Sequence, residues 1–147
     1  KRLCGKIVDG QNPGSPLALA DLGSAQVDQW YIACSAGGQT AYPYGATMKP
    51  GACNLGPSGP GARRPPGSYT ACFGGSPGIS DMLGNVWEWI DYCFQPADAG
   101  TLPENSVCYS RGGGFGSTED QAKCDYNGTL ARRTGKNSEI GIRCCSL

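Results

Sequence analysis

From Val27 to Cys34, apolar side chains recur at Val27, Trp30, Tyr31 and Cys34. This i, i+3, i+4, i+7 spacing draws one stripe along a helix. Ser24 is a good N-cap ahead of it and Gly37-Gly38 a stop behind it, so the pattern predicts a helix over 24–36. The plainest role for this helix is to face the core, with Cys34 pinning it by a disulfide; the other is a ligand platform made by Trp30 and Tyr31. Val86-Trp87-Glu88-Trp89-Ile90 alternates with period two and predicts a short strand. Trp87 and Trp89 share one side, and Val86, Glu88 and Ile90 the other. Ile140-Gly-Ile-Arg-Cys-Cys145 reads as a closing strand. Arg111-Gly-Gly-Gly-Phe115 reads as a run into a strand with close backbone approach. No Lys-Ser/Thr follows it, which argues against a phosphate cradle. The segments 39–80 and 118–139 are polar, rich in loop formers and without periodicity. No repeat or heptad is present.

Composition agrees with so much irregular chain. The 24 glycines and 11 prolines make nearly a quarter of the 147 residues, and only 39% are apolar. One domain of irregular loops is expected, and loops this long need staples. Nine cysteines supply them. There is no CxxC pair, and the adjacent Cys144-Cys145 suits a tetrahedral zinc poorly, so disulfides in an oxidising compartment are expected over a metal cluster. Cys53 with Cys72 and Cys93 with Cys108 are the bridges that sequence proximity suggests. Nine is odd, which leaves at least one thiol free or bonded to another chain or segment.

Charge and residue types exclude several functions. The formal net charge is zero and there is no basic run, so nucleic acid is not an expected partner. No apolar run approaches the length of a membrane span. The chain starts at Lys1, which reads as a mature or clipped product. Histidine is absent altogether. That removes Ser-His-Asp triads, Cys-His nucleophiles and His-ligated metals together.

Residues 81–92, Asp-Met-Leu-Gly-Asn-Val-Trp-Glu-Trp-Ile-Asp-Tyr, combine two tryptophans, several carboxylates and a Gly-Asn turn. Tight backbone, acidic oxygens and large apolar bodies in one stretch point to a hard-cation site built into a core. The alternative is that Asp81 and Glu88 form ion pairs with Arg111 or Arg143.

Several segments together resemble one family in its own order. They are Lys1-Arg-Leu-Cys4, Trp30-Tyr-Ile-Ala-Cys-Ser-Ala-Gly-Gly38, Tyr42-Pro-Tyr-Gly45, Asp81-Met-Leu-Gly-Asn-Val-Trp-Glu-Trp89, Arg111-Gly-Gly-Gly-Phe115 and Ile140-Gly-Ile-Arg-Cys144. The chain is similar over nearly its whole length to the formylglycine-generating enzyme (sulfatase-modifying factor) family. The resemblance implies an α+β, C-type-lectin-like fold, loop-rich and disulfide-stapled. The family domain is about twice as long, so residues 1–147 resemble a single domain that is its C-terminal part. The N-terminal half-domain would then be missing or carried on a second polypeptide.

The resemblance also assigns roles. It implies calcium at Asp81, Gly84, Val86 and Glu88, with carboxylates from Asp81 and Glu88 and backbone carbonyls from Gly84 and Val86. Calcium takes six to eight oxygens at about 2.4 Å, which suits such a set. A second family calcium site would use Asn54 and Leu55 but needs a later carboxylate, and no Asp or Glu occurs between Asp28 and Asp81. The family's copper chemistry needs a close pair of thiolates after the Arg-Gly-Gly segment, because Cu(I) is soft. Here Ser117 stands nearest the first and Cys124 near the second, so catalytic residues are not assigned and copper is not expected. For the remaining cysteines the resemblance suggests Cys34 with Cys144. Cys124 with Cys145 is a further candidate pair that would leave Cys4 over; an equal alternative pairs Cys4 with Cys34 and frees one of the two terminal cysteines.

The expectation is a secreted, periplasmic or cell-surface module, calcium-stabilised and binding or structural. Residues 39–69 and 116–139 are its recognition surface for a protein or glycan ligand. The alternatives are a copper-dependent oxidoreductase that makes formylglycine from a peptide cysteine, and a disulfide-linked subunit of an extracellular assembly.

Overall fold

The computed structural model describes residues 2–7, 16–97, 100 and 102–145; Lys1, part of the first matching segment, lies outside them. Two small sheets and one short helix carry the described chain. Strands β2 (Trp87–Phe94), β3 (Val107–Arg111), β4 (Thr129–Arg132) and β5 (Ile140–Ile142) form a sheet in the order β4-β3-β2-β5. The first three run antiparallel to their neighbours, and β5 lies parallel to β2. Strands β1 (Arg2–Leu3) and β6 (Cys144–Cys145) pair antiparallel as a separate ribbon. Helix α1 (Gln29–Cys34) packs its Trp30 and Cys34 into a core that includes Leu55, Met82, Leu83 and Ile90.

The helix is shorter than the apolar stripe predicts. It starts after Asp28, not Ser24, because the Asp28 carboxylate accepts the Tyr31 backbone N–H at 3.1 Å and is the true N-cap. Residues 24–28 instead form turns in which the Val27 and Asp28 N–H groups reach back to the Ser24 carbonyl. The predicted stop is where expected: Ala36, Gly37 and Gly38 all have positive φ, and the Gly37 N–H donates to the Ile32 carbonyl. Left-handed backbone ends a helix in this way.

The strands differ from the sequence pattern in three places. Strand β2 continues to Phe94, since Cys93 and Phe94 pair with Cys108 and Val107 across a register shift. The closing segment is split at Arg143 into β5 and β6, which join different sheets. Strand β4 falls within a stretch that reads as loop; its ladder to β3 supplies an order that its own residues do not encode. The glycines after Arg111 follow a strand rather than lead into one. Their close approach is real: a Cβ on Gly112 would lie 2.7 Å from the Met82 carbonyl oxygen.

Four disulfides staple these pieces: Cys4–Cys145, Cys34–Cys124, Cys53–Cys72 and Cys93–Cys108. The two short-range bridges are those expected from proximity. The pairings of Cys34 with Cys144, of Cys124 with Cys145 and of Cys4 with Cys34 are corrected, as is Cys4 as the leftover. The pairing of β1 with β6 brings Cys4 to Cys145, while Cys144, the adjacent strand residue, is exposed and free. Successive strand residues face opposite ways, so only one of the two could have met Cys4. Among the described residues no helix is long and apolar enough to cross a membrane.

Candidate functional site

The segment 81–92 forms one wall of a cavity of about 310 Å³. Asp81, Gly84, Val86 and Glu88 all line it, together with Arg143 and Cys144. The turn that shapes it carries Asp81, Gly84 and Asn85 at positive φ. Asn54 clamps the turn from below: its carbonyl accepts the Asn85 N–H, and its side-chain NH2 donates to Asn85 Oδ1 at 3.1 Å. Asn85 in turn binds both the N–H and the carbonyl of Arg64. Asp81 Oδ2 accepts the Gly67 N–H at 2.6 Å, which ties residues 64–67 over the same turn.

Glu88 is buried and fully engaged. Its Oε1 accepts Arg143 Nη2 at 2.6 Å, and its Oε2 accepts Arg143 Nε at 2.7 Å and the Trp30 indole N–H at 2.9 Å. Arg143 Nη2 also donates to the Ser80 carbonyl at 2.8 Å. Burial pushes the Glu88 carboxyl above its ordinary range, against the pull of Arg143 and the Trp30 hydrogen bond. Of the ion pairs weighed for Glu88, the structure contains the one with Arg143. A calcium ion would find Asp81 and the Gly84 and Val86 positions on the wall, but it would compete with a guanidinium for Glu88. No cluster of three or more His, Cys, Asp or Glu suited to a metal occurs among the described residues.

The positions expected to correspond to copper-binding thiolates are also built differently. Ser117 is buried, and its Oγ accepts the Gly114 N–H at 2.9 Å, closing the turn after the glycine run. Cys124 is bonded to Cys34 of α1. Eight of the nine cysteine sulfurs are thus oxidised in pairs, and the remaining one, Cys144, lies at the calcium-candidate cavity rather than beside Ser117.

Two buried features escape a sequence reading. Asp28 and Arg111 form an ion pair with both side chains fully buried. Arg111 lies 4.6 Å from the Trp30 ring centroid and donates to the Cys124 carbonyl at 2.6 Å and the Tyr126 carbonyl at 3.2 Å. Asp28 caps α1 and accepts the Gly23 N–H. Burial presses the Arg111 pKa down, and Asp28 opposes that. The second feature is the Asn54–Asn85 clamp. Its only sequence signal was the Gly-Asn pair, which marks a turn but names no partner.

Residues 25–146 match the family model described as "Sulfatase-modifying factor enzyme 1-like domain". No curated protein matches the chain. Among solved structures, the chain is similar to CarF, with a TM-score of 0.57 and 21% identity over 78% of this chain and 43% of that one. It is also similar to PvdO from Pseudomonas aeruginosa, with a TM-score of 0.58 and 19% identity over 87% of this chain and 50% of that one. The chain spans half or less of the length of these two structures, and at such identities the likeness shows the fold.

Proposed function

The chain belongs to the family of sulfatase-modifying factor enzyme 1-like domains, and from that premise we propose that it is a binding or structural module without copper oxidase chemistry. The observation that carries this is the Cys34–Cys124 disulfide. It removes from thiolate chemistry the cysteine nearest the second expected copper ligand, and a serine stands nearest the first. A serine hydroxyl is a poor Cu(I) ligand. The four disulfides support a place in an oxidising setting, secreted, periplasmic or at a cell surface. A C-type-lectin-like arrangement, with loops 39–69 and 116–139 as the recognition surface, belongs to the same reading. So does docking on an N-terminal half-domain or second polypeptide, supported by the chain's covering 43% and 50% of CarF and PvdO. The test is Cu(I) titration of the purified protein with oxygen uptake on a cysteine-containing peptide. The expected result is no stoichiometric copper and no uptake; thiol-dependent binding of one copper with turnover would reverse the proposal.

Two observations favour additions to this reading. All four candidate calcium positions line one cavity, which supports calcium as a stabilising ion held by Asp81 with Gly84, Val86 and Glu88. The exposed thiol of Cys144 supports a disulfide-linked subunit of an extracellular assembly. Non-reducing electrophoresis tests the latter: a band at monomer mass under oxidising conditions removes it.

A further inference from the structure

A second cleft, of about 320 Å³, opens on the other side of Trp87 from the core. Its wall includes Trp87, Ser117, Gln121, Leu130, Asn137 and Glu139. The elements that bring these together are β2, the turn after the glycine run, β4 and the approach to β5. The Trp87 N–H of the backbone donates to the Glu139 carbonyl at 2.7 Å, fixing the two residues at the cleft floor.

The polar groups here are unspent. The Glu139 carboxylate has no ion pair or hydrogen-bond donor among the described residues. The Asn137 Oδ1 accepts the Glu139 N–H at 2.8 Å, which leaves its NH2 free. Gln121 Oε1 accepts the Thr118 N–H at 3.0 Å, which likewise leaves an NH2 free. Ser117 Oγ accepts one hydrogen bond and has its own proton to give. The Trp87 indole N–H finds no acceptor among the described residues, and Trp87 keeps 7% of its surface exposed.

The donor and acceptor inventory narrows the ligand. An anion would meet the Glu139 carboxylate. A simple cation would leave the amide, hydroxyl and indole donors unanswered. An apolar ligand would bury all of them unpaired, at a cost of about 1–3 kcal/mol per group. A neutral molecule whose groups both donate and accept satisfies a carboxylate and several N–H donors at once, with Leu130 and the indole edge for its C–H faces. We propose that this cleft binds a neutral saccharide, with Glu139 accepting from ring hydroxyls and Asn137, Gln121 and Trp87 donating to them. The proposal rests on the binding-module reading, since it fills the place beside Ser117 with recognition rather than chemistry.

The test is a ¹H–¹⁵N NMR titration of the intact chain with glucose, galactose, mannose and N-acetylglucosamine, each to tens of millimolar, with glycine as a separate arm. The expected result is a saturable shift of the Trp87 indole N–H with at least one sugar, while the Trp30 indole, bonded to Glu88, stays still. Glu139→Ala should weaken that binding tenfold or more. Asn137→Asp keeps an acceptor for the Glu139 N–H and exchanges the NH2 donor for a charged acceptor, so it should weaken binding with the fold intact. No saturable shift with any of the four sugars, a response to glycine alone, or binding indifferent to both variants would overturn the proposal. Copper turnover would sink the functional reading by itself and leave the sugar titration to be judged on its own.

Discussion

Cys34 and Cys124, 90 residues apart, are joined by a disulfide that ties helix α1 to the segment between the glycine run and β4. It has a structural and a chemical consequence. A single crosslink closing a loop of that length constrains the unfolded chain by about 4.6 kcal/mol in chain-entropy terms. The other three bridges shorten the effective loop, so the Cys34→Ser/Cys124→Ser pair should lose somewhat less, read as a shift of the urea midpoint. Thiol titration of the denatured, unreduced protein should find one reactive thiol per chain, and Cys144→Ser should bring it to none. Two or more thiols would contradict the pairing.

The Asp28–Arg111 pair is the second point of vulnerability. Removing one partner leaves a buried, uncompensated charge, which costs about 3–5 kcal/mol. Asp28→Ala should therefore be severely destabilising, with about 1 kcal/mol of the loss from the missing helix cap. Asp28→Ala/Arg111→Met should be more stable than the sum of the two single losses implies, by at least about 1 kcal/mol. Additive losses in chemical denaturation would mean that the two charges are not coupled.

Glu88 sets a pH dependence whose sign separates two opposing effects. Burial raises its carboxyl above the ordinary value of 4.5 despite Arg143. The folded state then holds the proton more tightly than the unfolded chain does. Its contribution is full below the unfolded value and is lost as pH rises through the folded one. The stability of the natural protein relative to Glu88→Gln should fall as pH rises from about 4.5. A relative stability that grows over the same range would show that the attraction of Arg143 outweighs desolvation.

Calcium can be tested at the same cavity. Under the calcium proposal a chelator lowers the melting temperature, and Glu88→Ala removes that response. Asp81→Asn, which leaves the Glu88–Arg143 pair intact, should remove it as well. Identical melting with calcium and with chelator would leave Arg143 as the partner that neutralises Glu88.

Gly75 should tolerate no side chain. A Cβ there would lie 2.0 Å from the Ala33 carbonyl oxygen and 2.4 Å from that of Cys34, at the end of α1. Gly78 has a similar φ of +77° but open space around it. Gly78→Ala should cost about 1–2 kcal/mol from the left-handed backbone alone, and Gly75→Ala several times that. Equal urea midpoints for the two variants would refute the close approach.

Local pattern was a good guide where one short stretch settles its own structure. The apolar stripe through Trp30 and Cys34, the glycine stop after it, the alternation through Trp87 and Ile90, and the two short-range disulfides were all legible, because period, turn chemistry and loop length act over a few residues. The ordered segments from Trp30 to Cys144 also carried the family. Only the tertiary structure decided the rest. Strand β4 exists because β3 offers it a ladder, and helix α1 begins at Asp28 because that carboxylate is held by Arg111, 83 positions away. Cys4 met Cys145 because β1 pairs with β6, and Cys34 met Cys124 because the end of α1 packs on a turn whose Cys124 N–H is held by the Ala41 carbonyl; neither contact follows from spacing. Glu88 was legible in the sequence as a cation ligand or an ion-pair partner of Arg111 or Arg143; that it is buried and that Arg143 answers its charge depend on β2 and β5 lying side by side, a pairing that no local residue pattern specifies.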